Sequence, residues 1–258
     1  MKLNIFRYPG GKSKLVNLFL DDVPPGPLFC EPFCGGASVS IAVAQRDPDR
    51  LIWLNDLDSK IAAFWQLVAT GNVDALCDRI LSTTATTDLF RELSTVDDAF
   101  AAIYLNRTAY SGKSHTSPVG GWNQTGKWKI DAEWRQEYLV RQIQDTTELF
   151  RDRLTVTQLD FRDVIDKARM EDAFFYVDPP YYMRGKTMYQ HYLTQSDHEN
   201  LAALLHEGHD WLLSYDNAPE IHELYKRDSI RPLKATYSAA IGKNFTAEEL
   251  IIKSVGQA

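Results

Sequence analysis

The chain has 258 residues, of which 44% are hydrophobic and 24% charged, a composition typical of a globular protein with one large domain or one domain and an insertion. No apolar run approaches the ~18 residues that a membrane helix needs, so we expect no membrane partner. Three cysteines are too few for a disulfide framework and favour a reducing cytoplasm. Cys30 and Cys34 lack the partner ligands of a zinc site, so no metal is expected.

The net charge of −7 argues against nucleic-acid binding, but the basic residues are unevenly distributed. Residues 1–20 and residues 106–130 contain no acidic residue. Their basic residues are Lys2, Arg7, Lys12 and Lys14 in the first stretch, and Arg107, Lys113, His115, Lys127 and Lys129 in the second. Local positive surface on an acidic protein is typical of phosphate binding, and chance clustering on solvated loops is the alternative.

The pattern of apolar residues predicts a parallel sheet at the start of the chain. Residues 28–31 are expected to form a buried strand, residues 37–46 a helix, residues 51–54 a strand and residues 59–69 a helix. A strand–helix–strand–helix order of this kind implies parallel strands in an α/β fold.

The rest of the chain predicts an interruption followed by the remaining strands. Residues 72–106 are expected to be helical, and residues 108–128 to form a projecting loop with a hairpin, because polar and glycine residues replace the helical period there. Helix is expected again over residues 132–150. Further strands are predicted at residues 154–159, 174–177, 211–215, 231–237 and 249–253, the last two as an antiparallel pair.

The first candidate site is the glycine turn after the first strand, with the sequence Phe-Cys-Glu-Pro-Phe-Cys-Gly-Gly over residues 29–36. Adjacent glycines let a ligand approach the backbone closely, and the dinucleotide fingerprint G-x-G-x-x-G is absent. Asp56, at the end of the second strand, is placed to accept hydrogen bonds from ribose hydroxyls. The combination favours a nucleoside ligand without a pyrophosphate, such as S-adenosylmethionine, although such turns and acids also occur without a ligand.

The second candidate site is the basic turn Tyr-Pro-Gly-Gly-Lys-Ser-Lys of residues 8–14. Its Gly11-Lys12-Ser13 is similar to part of a P-loop, but Phe6 stands where that motif requires a glycine. Nucleoside-triphosphate hydrolysis is therefore not expected, and a flexible basic turn is the alternative.

The third candidate site, Asp178-Pro179-Pro180-Tyr181, follows an apolar strand and is the most informative. Two prolines end the strand in a rigid turn at its carboxyl end, where open α/β sheets bind ligands. Asp178 and the carbonyl of Pro179 can each accept a hydrogen from a planar aromatic amine, which shifts electron density to the nitrogen. Tyr181 can stack on the ring. The turn predicts activation of such an amine as a nucleophile, with a purely structural turn as the alternative.

Together these motifs resemble those of the Dam-type, or alpha-class, DNA adenine-N6 methyltransferases over residues 6–253. The resemblance implies a Rossmann-like α/β fold that depends on S-adenosylmethionine, with a catalytic domain of residues 1–58 and 151–258 and a helical and hairpin target-recognition insertion of residues 59–150. It implies a cofactor site formed by Tyr8, Lys12, Glu31, Phe33, Gly35, Asp56, Asp160 and Phe161. It also implies that Asp178, Pro179 and Tyr181 act on a flipped adenine.

Within the insertion, residues 104–112 and 121–127 resemble the start and the hairpin of the family's DNA-recognition region. By analogy, DNA would be contacted by Arg7, Asn106, Arg107, Tyr110, Lys113, His115, Trp122, Asn123, Lys127 and Lys129. Tyr110 would enter the base stack, with hairpin packing as the alternative for the aromatic residues.

Two departures from the family pattern affect these expectations. Lys113-Ser114-His115 stands where GATC-specific members carry a guanine-reading arginine, so relaxed or different specificity is expected. Ala37 replaces a glycine of the cofactor turn, which is expected only to adjust helix packing.

The hypothesis is a bacterial or phage-encoded cytoplasmic enzyme that methylates adenine N6 in double-stranded DNA, as a monomer or as a dimer on DNA. An RNA or cytosine-N4 amino methyltransferase would share the Asp178–Tyr181 turn, but the recognition insertion argues against it. A catalytically silent nucleic-acid-binding protein on the same fold is the other alternative, and the intact Asp178 and Asp56 argue against it.

Overall fold

The fold is seen in a computed structural model that describes residues 5–7, 11–113, 115–183, 185, 192–208, 210–238 and 244–255. Its strands are β1 Leu28–Glu31, β2 Leu51–Asn55, β3 Leu154–Thr157, β4 Ala173–Val177, β5 Trp211–Asp216, β6 Ser229–Ser238 and β7 Asn244–Lys253. Its helices are α1 Ser38–Arg46, α2 Ser59–Thr70, α3 Asp74–Ser82, α4 Thr87–Leu93, α5 Ala99–Thr108, α6 Gln136–Leu149, α7 Phe161–Arg169, α8 Gln195–Leu205 and α9 Pro219–Leu224. No helix in these described residues has the length and apolar character needed to cross a membrane.

The described residues contain one seven-stranded sheet with the order β3-β2-β1-β4-β5-β7-β6. Strands β1 to β5 run parallel, and β7 lies antiparallel between β5 and β6. The order of the first five strands is that of a doubly wound sheet, which confirms the predicted Rossmann-like α/β class. The order reverses between β1 and β4, and ligands of such sheets bind outside the carboxyl ends of the strands at that point.

Helices cover both faces of the sheet, which explains why β1 and β4 are buried along their whole length. One face packs against α1 to α6 through strand residues such as Phe29 and Tyr176. The other face packs against α7, α8 and α9 through residues such as Cys30 and Phe175. Successive residues of a strand point to opposite faces, so each strand contributes to both cores.

Most of the predicted elements are confirmed. β1 has the predicted bounds, α1, α2 and β2 differ from prediction by one residue, and α3, α4 and α5 occupy the predicted helical region. β6 and β7 form the predicted antiparallel pair. The sequence analysis does not predict α7, α8 or α9, although Asp160 at the start of α7 is a capping residue whose side chain accepts a hydrogen bond from the N–H of Arg162.

Between residues 108 and 150 the structure has the predicted loop and helix, but the hairpin pairing and the start of the helix differ from the predictions. Among the described residues of the predicted hairpin, Ala109 and Pro118 form an isolated antiparallel bridge, and successive turns take the place of paired strands. The helix predicted from residue 132 begins at Gln136. The reason is that Trp134 is buried and donates a hydrogen bond to the carbonyl of Thr83, which holds the preceding turn in place.

The division into a catalytic part and an insertion at residues 59–150 stays a prediction. Helix α2, which that division assigns to the insertion, packs against β3. Its Trp65 lies in the same core as Phe29 of β1. The helices of this region therefore cover one face of the catalytic sheet.

Candidate active site

Acidic side chains follow the parallel strands at the carboxyl edge of the sheet. Glu31 ends β1, Asp56 follows β2, and Asp160 lies three residues beyond β3. Asp178 follows β4, and Asp216 ends β5. Because parallel strands end at the same edge, these five side chains lie along one side of the molecule.

The glycine turn after β1 is fastened to the end of β2. The N–H of Gly35 donates to Asp56 Oδ2 at 2.8 Å, and the N–H of Asp58 donates to Oδ1 at 3.0 Å. From the other side, Trp65 Nε1 donates to the carbonyl of Gly35 at 2.8 Å. Burial raises the pKa of Asp56 to about 6, so its side chain is ionised at neutral pH. The glycine turn thus holds the carboxylate of Asp56 in a fixed position at the edge of the sheet.

Ala37 ends this turn with φ of 49° and ψ of 34°, in the left-handed region that favours glycine. The expectation that it only adjusts helix packing is therefore wrong, because the residue also carries backbone strain. As the residue before α1, Ala37 has no side-chain group that could cap the helix.

Glu31 supplies the missing cap of α1. Its Oε1 accepts a hydrogen bond from the N–H of Ser40 in the first turn of the helix, at 2.7 Å. Burial raises the pKa of Glu31 to about 8, although the hydrogen bonds from Ser40 oppose this shift. The side chain is therefore mostly protonated at neutral pH, and a cation bound beside it would favour its carboxylate form.

Three residues predicted at the cofactor site lie together next to α7. The rings of Phe33 and Phe161 are 5.4 Å apart between centroids. Asp160 accepts from the N–H of Arg162 at 3.0 Å and pairs with its guanidinium at 2.9 Å. That guanidinium lies 4.5 Å from the centroid of the Phe161 ring. The contact of these residues with a cofactor stays a prediction.

Asp178 is the centre of a hydrogen-bond network at the point where the strand order reverses. Lys12 Nζ lies 2.7 Å from its Oδ1 and 2.8 Å from its Oδ2. Ser214 Oγ, from β5, donates to Oδ1 at 2.8 Å and lies 2.9 Å from the hydroxyl of Tyr176. Burial raises the pKa of Asp178, and the ammonium of Lys12 opposes that shift. Lys12, predicted at the cofactor site, therefore contacts the predicted catalytic carboxylate.

Tyr181 and Glu249 complete this network. The hydroxyl of Tyr181 donates to Glu249 Oε1 and lies 3.1 Å from Lys12 Nζ. Glu249 Oε1 lies 2.8 Å from the same Nζ. Burial by itself would lower the pKa of Lys12, but Asp178 and Glu249 raise it well above its ordinary value. Lys12 is therefore a cation at neutral pH, while stacking of Tyr181 on a substrate stays a prediction.

Asp216 holds the chain that follows the proline turn. Its Oδ1 accepts from the N–H of Tyr182 and its Oδ2 from the N–H of Met183, both at 3.0 Å. Pro179, inside the turn, is buried. The residues that begin and follow the turn are thus tied to side chains of β5 and β7.

Asn106 and Arg107, both predicted to contact DNA, are buried, and their contact with DNA stays a prediction. The Asn106 amide accepts from the N–H of Arg7 at 2.8 Å and donates to the carbonyls of Arg7 and Gly112 at 3.0 and 2.9 Å. Arg107 donates to the carbonyl of Ile5, and burial lowers its pKa to about 10. Both side chains fasten residues 5–7 to the end of α5 and the turn that follows it.

The other residues predicted to contact DNA are exposed or half-buried, and they are Arg7, Tyr110, Lys113, His115, Trp122, Asn123, Lys127 and Lys129. Trp122 packs edge-on against Phe90 with centroids 5.7 Å apart, and the guanidinium of Arg91 lies 5.1 Å from its ring centroid. Lys127 Nζ lies 5.5 Å from the ring centroid of Trp128. These accessible side chains are mostly aromatic or basic, and their contact with DNA stays a prediction.

One predicted site residue lies outside the described residues, and three residues near the proline turn were not predicted. Tyr8, predicted at the cofactor site, lies outside the described residues. Ser214, Asp216 and Glu249 were not predicted as site residues. The available signal was a polar side chain inside or beside an apolar strand, as for Ser214 within residues 211–215.

Comparison with known proteins shows which family the chain matches over most of its length. The model of the D12 class N6 adenine-specific DNA methyltransferase family matches residues 8–239. A DNA N-6-adenine-methyltransferase of Escherichia phage P1 is 25% identical over 260 residues, covering 92% of this chain. The alignment covers 33% of that relative, so the chain spans about a third of the relative's length.

Two solved structures are similar at a low level. The rRNA methyltransferase aviRa from Streptomyces viridochromogenes has a TM-score of 0.41 and 14% identity, covering 96% of this chain and 86% of its own. Precorrin-6y C5,15-methyltransferase from Geobacter metallireducens has a TM-score of 0.40 and 7% identity, covering 95% and 89%. The family model, by contrast, matches most of the chain. The chain therefore belongs to the D12 class N6 adenine-specific DNA methyltransferase family.

Proposed function

We propose that this chain transfers a methyl group from S-adenosylmethionine to the N6 amino group of an adenine in double-stranded DNA. The observation that carries the proposal is the carboxylate of Asp178, held beside the glycine turn by Lys12 and Ser214. Membership of the family supports adenine in DNA as the substrate. A base inside a duplex cannot reach a carboxylate at the edge of a sheet, so the adenine would be rotated out of the helix.

The donor set at the carboxyl edge fits S-adenosylmethionine. A carboxylate has about four lone-pair positions, so Asp56 can accept from ribose hydroxyls while it holds the glycine turn. Glu31 would face a cationic group of the cofactor, and the pair Phe33 and Phe161 would contact its adenine ring. When bound, the cofactor would supply an electrophilic methyl group, with cleavage of its sulfur–methyl bond leaving S-adenosylhomocysteine and loss of one proton from the methylated nitrogen restoring a neutral amine.

Asp178 keeps acceptor capacity for a substrate. Lys12 uses one position on each oxygen and Ser214 a second position on Oδ1. Of the about four lone-pair positions of a carboxylate, one on Oδ2 remains for a hydrogen of the adenine amine. The carbonyl of Pro179 would accept the other hydrogen. Two such hydrogen bonds place electron density on nitrogen and orient its lone pair.

The product of the reaction is expected to be N6-methyladenine. The purified protein would be incubated with unmodified double-stranded DNA, single-stranded RNA and labelled S-adenosylmethionine, and the digested nucleosides separated by mass spectrometry. Label in N6-methyladenine from DNA supports the proposal. Label in N4-methylcytosine, or in RNA alone, would contradict it. Mapping the modified adenines on genomic DNA then tests the expected relaxed specificity, which a single short consensus would refute.

Affinity for the cofactor is expected to rise with pH up to about 8, because Glu31 must lose its proton to face a cation. In the free protein, the raised pKa of Glu31 contributes to folding stability. This contribution is fully present below pH 4.5 and is lost as the pH rises to about 8. Binding of a cation reverses this preference and releases a proton. Calorimetric titration should give an affinity that rises by up to about tenfold per pH unit and then levels off.

The matched control is Glu31→Gln, which can still accept the hydrogen bond from Ser40 but cannot ionise. Its cofactor affinity should lose the part of the pH dependence that Glu31 causes. Titration of the cofactor's own amino group affects both proteins equally. Identical pH dependence in both proteins would show that Glu31 does not face the cation.

A further inference from the structure

Glu249 is a buried acid that no motif of the sequence accounts for. It lies on β7 opposite Asp216, the last residue of β5, and is 2% exposed. Because β7 runs antiparallel to β5, its beginning reaches the same edge as the carboxyl ends of the parallel strands. Its Oε1 contacts both Lys12 and the hydroxyl of Tyr181.

Ser214 contacts Asp178 from another side. It is a buried residue of β5, and its Oγ bridges Asp178 Oδ1 at 2.8 Å and the hydroxyl of Tyr176 at 2.9 Å. Two strands on the same side of β4 therefore reach Asp178, the adjacent β5 directly and β7, which lies beyond β5, through Lys12.

We propose that Glu249 and Ser214 are positioning residues that hold the Asp178 carboxylate at the angle needed to accept the adenine amine. Glu249 fixes Lys12 Nζ, which bridges both oxygens of Asp178. Ser214 fixes Oδ1, which leaves Oδ2 to face the substrate. This inference rests on the proposed function of Asp178.

The charges of the network support a role in the reaction instead of in folding alone. Asp178 and Glu249 place two acidic side chains around the single ammonium of Lys12, and a buried ion pair contributes little to stability compared with apolar packing. A negative site is suited to a reaction in which positive charge arrives on a sulfonium and is passed to an amine. One cation between two carboxylates also restricts the position of both.

The two residues act on the pKa of Asp178 in opposite directions. The charge of Glu249 raises this pKa, whereas the hydrogen bond from Ser214 lowers it. Among the described residues, the titratable groups that interact electrostatically with Asp178 include Lys12, Glu31, Tyr176, Tyr215 and Glu249, and Tyr181 contacts Lys12. Removing Glu249 or Ser214 leaves the others in place, so the two substitutions can be compared directly.

The test is the pH profile of kcat for Glu249→Gln and Ser214→Ala, measured on DNA with saturating cofactor. Both variants should lose roughly 10- to 100-fold in kcat, as expected for a hydrogen bond to a charged group, with little change in KM. The rate is expected to fall at acidic pH, where Asp178 becomes protonated. This acidic limb should move to lower pH in Glu249→Gln and to higher pH in Ser214→Ala. Shifts in the same direction, or no shift, would overturn the inference.

Three controls keep the outcome interpretable. Glu248→Gln changes the exposed neighbour on the same strand and should leave kcat within about twofold of wild type. If Ser214→Ala does not fold, Ser214→Cys keeps the side-chain size with a weaker donor and should shift the limb in the same direction. Asp178→Ala distinguishes a failure of the proposed function from a failure of this inference. An active Asp178→Ala would refute the proposed function. If Asp178→Ala is inactive but Glu249→Gln and Ser214→Ala keep the wild-type kcat and pH profile, only this inference is refuted.

Discussion

Replacing Asp178 by alanine is expected to reduce methyl transfer by a factor on the order of 10³ while leaving the fold and cofactor binding nearly intact. The loss follows from the missing acceptor, since an aromatic amine without this hydrogen bond is a weak and poorly oriented nucleophile. The fold should survive because Lys12 keeps its ion pair with Glu249 at 2.8 Å, and Ser214 keeps Tyr176 as a partner. Single-turnover rates with labelled cofactor measure the first effect, and thermal unfolding measures the second.

The separation of chemistry from binding needs its own measurement. The groups proposed to hold the cofactor, Asp56 and Glu31, belong to the ends of β2 and β1 and make their own hydrogen bonds. Affinity for S-adenosylhomocysteine should therefore change by less than about threefold in Asp178→Ala. Asp166→Ala, which removes an exposed carboxylate of α7, is the control for a general loss of charge. Transfer at near the wild-type rate by Asp178→Ala would refute the mechanism.

The residues at strand ends could be predicted from the sequence because local patterns place them. Apolar runs define β1, β2 and β4, and Glu31, Asp56 and Asp178 follow from where those runs stop. The parallel arrangement of the strands then brings the three side chains to one edge. No contact distant in sequence had to be known for this step.

The network around Asp178 could not be predicted in the same way. It depends on β7 entering the sheet next to β5, which sets Glu249 beside Lys12 through a pairing of distant segments. Arg107 is a similar case, because an arginine in a basic stretch favours a phosphate contact by composition alone. The carbonyl of Ile5 that receives its hydrogen bond lies 102 positions away in the chain.

The second large effect is expected at Gly112, where the turn after α5 packs against Arg7 in the same segment, residues 5–7. This glycine has a φ of +73°, and a Cβ atom added to it would lie 2.2 Å from the backbone oxygen of Arg7. A backbone carbonyl cannot rotate away as a flexible side chain can. Gly112→Ala must therefore separate residues 5–7 from the turn after α5 and break the bridge that Asn106 makes between Arg7 and Gly112.

We expect Gly112→Ala to cost about 3 kcal/mol of stability, from backbone strain together with lost buried hydrogen bonds. Activity should also fall, because Arg7 lies five positions before Lys12 and a displaced segment would move the ammonium that holds Asp178. Urea unfolding and single-turnover transfer would measure the two effects on the same protein preparation.

Gly71→Ala is the matched control that separates strain from steric conflict. Gly71 has nearly the same φ, +74°, but no atom lies within 4 Å of an added Cβ. Its substitution should cost only the strain, about 1 kcal/mol, and leave transfer unchanged. If the two variants lose equal stability and Gly112→Ala keeps full activity, the contact between residues 5–7 and the turn that contains Gly112 does not position Lys12. If Gly112→Ala alone loses activity, the segment that carries the proposed DNA contacts is mechanically joined to the catalytic carboxylate through Arg7 and Lys12.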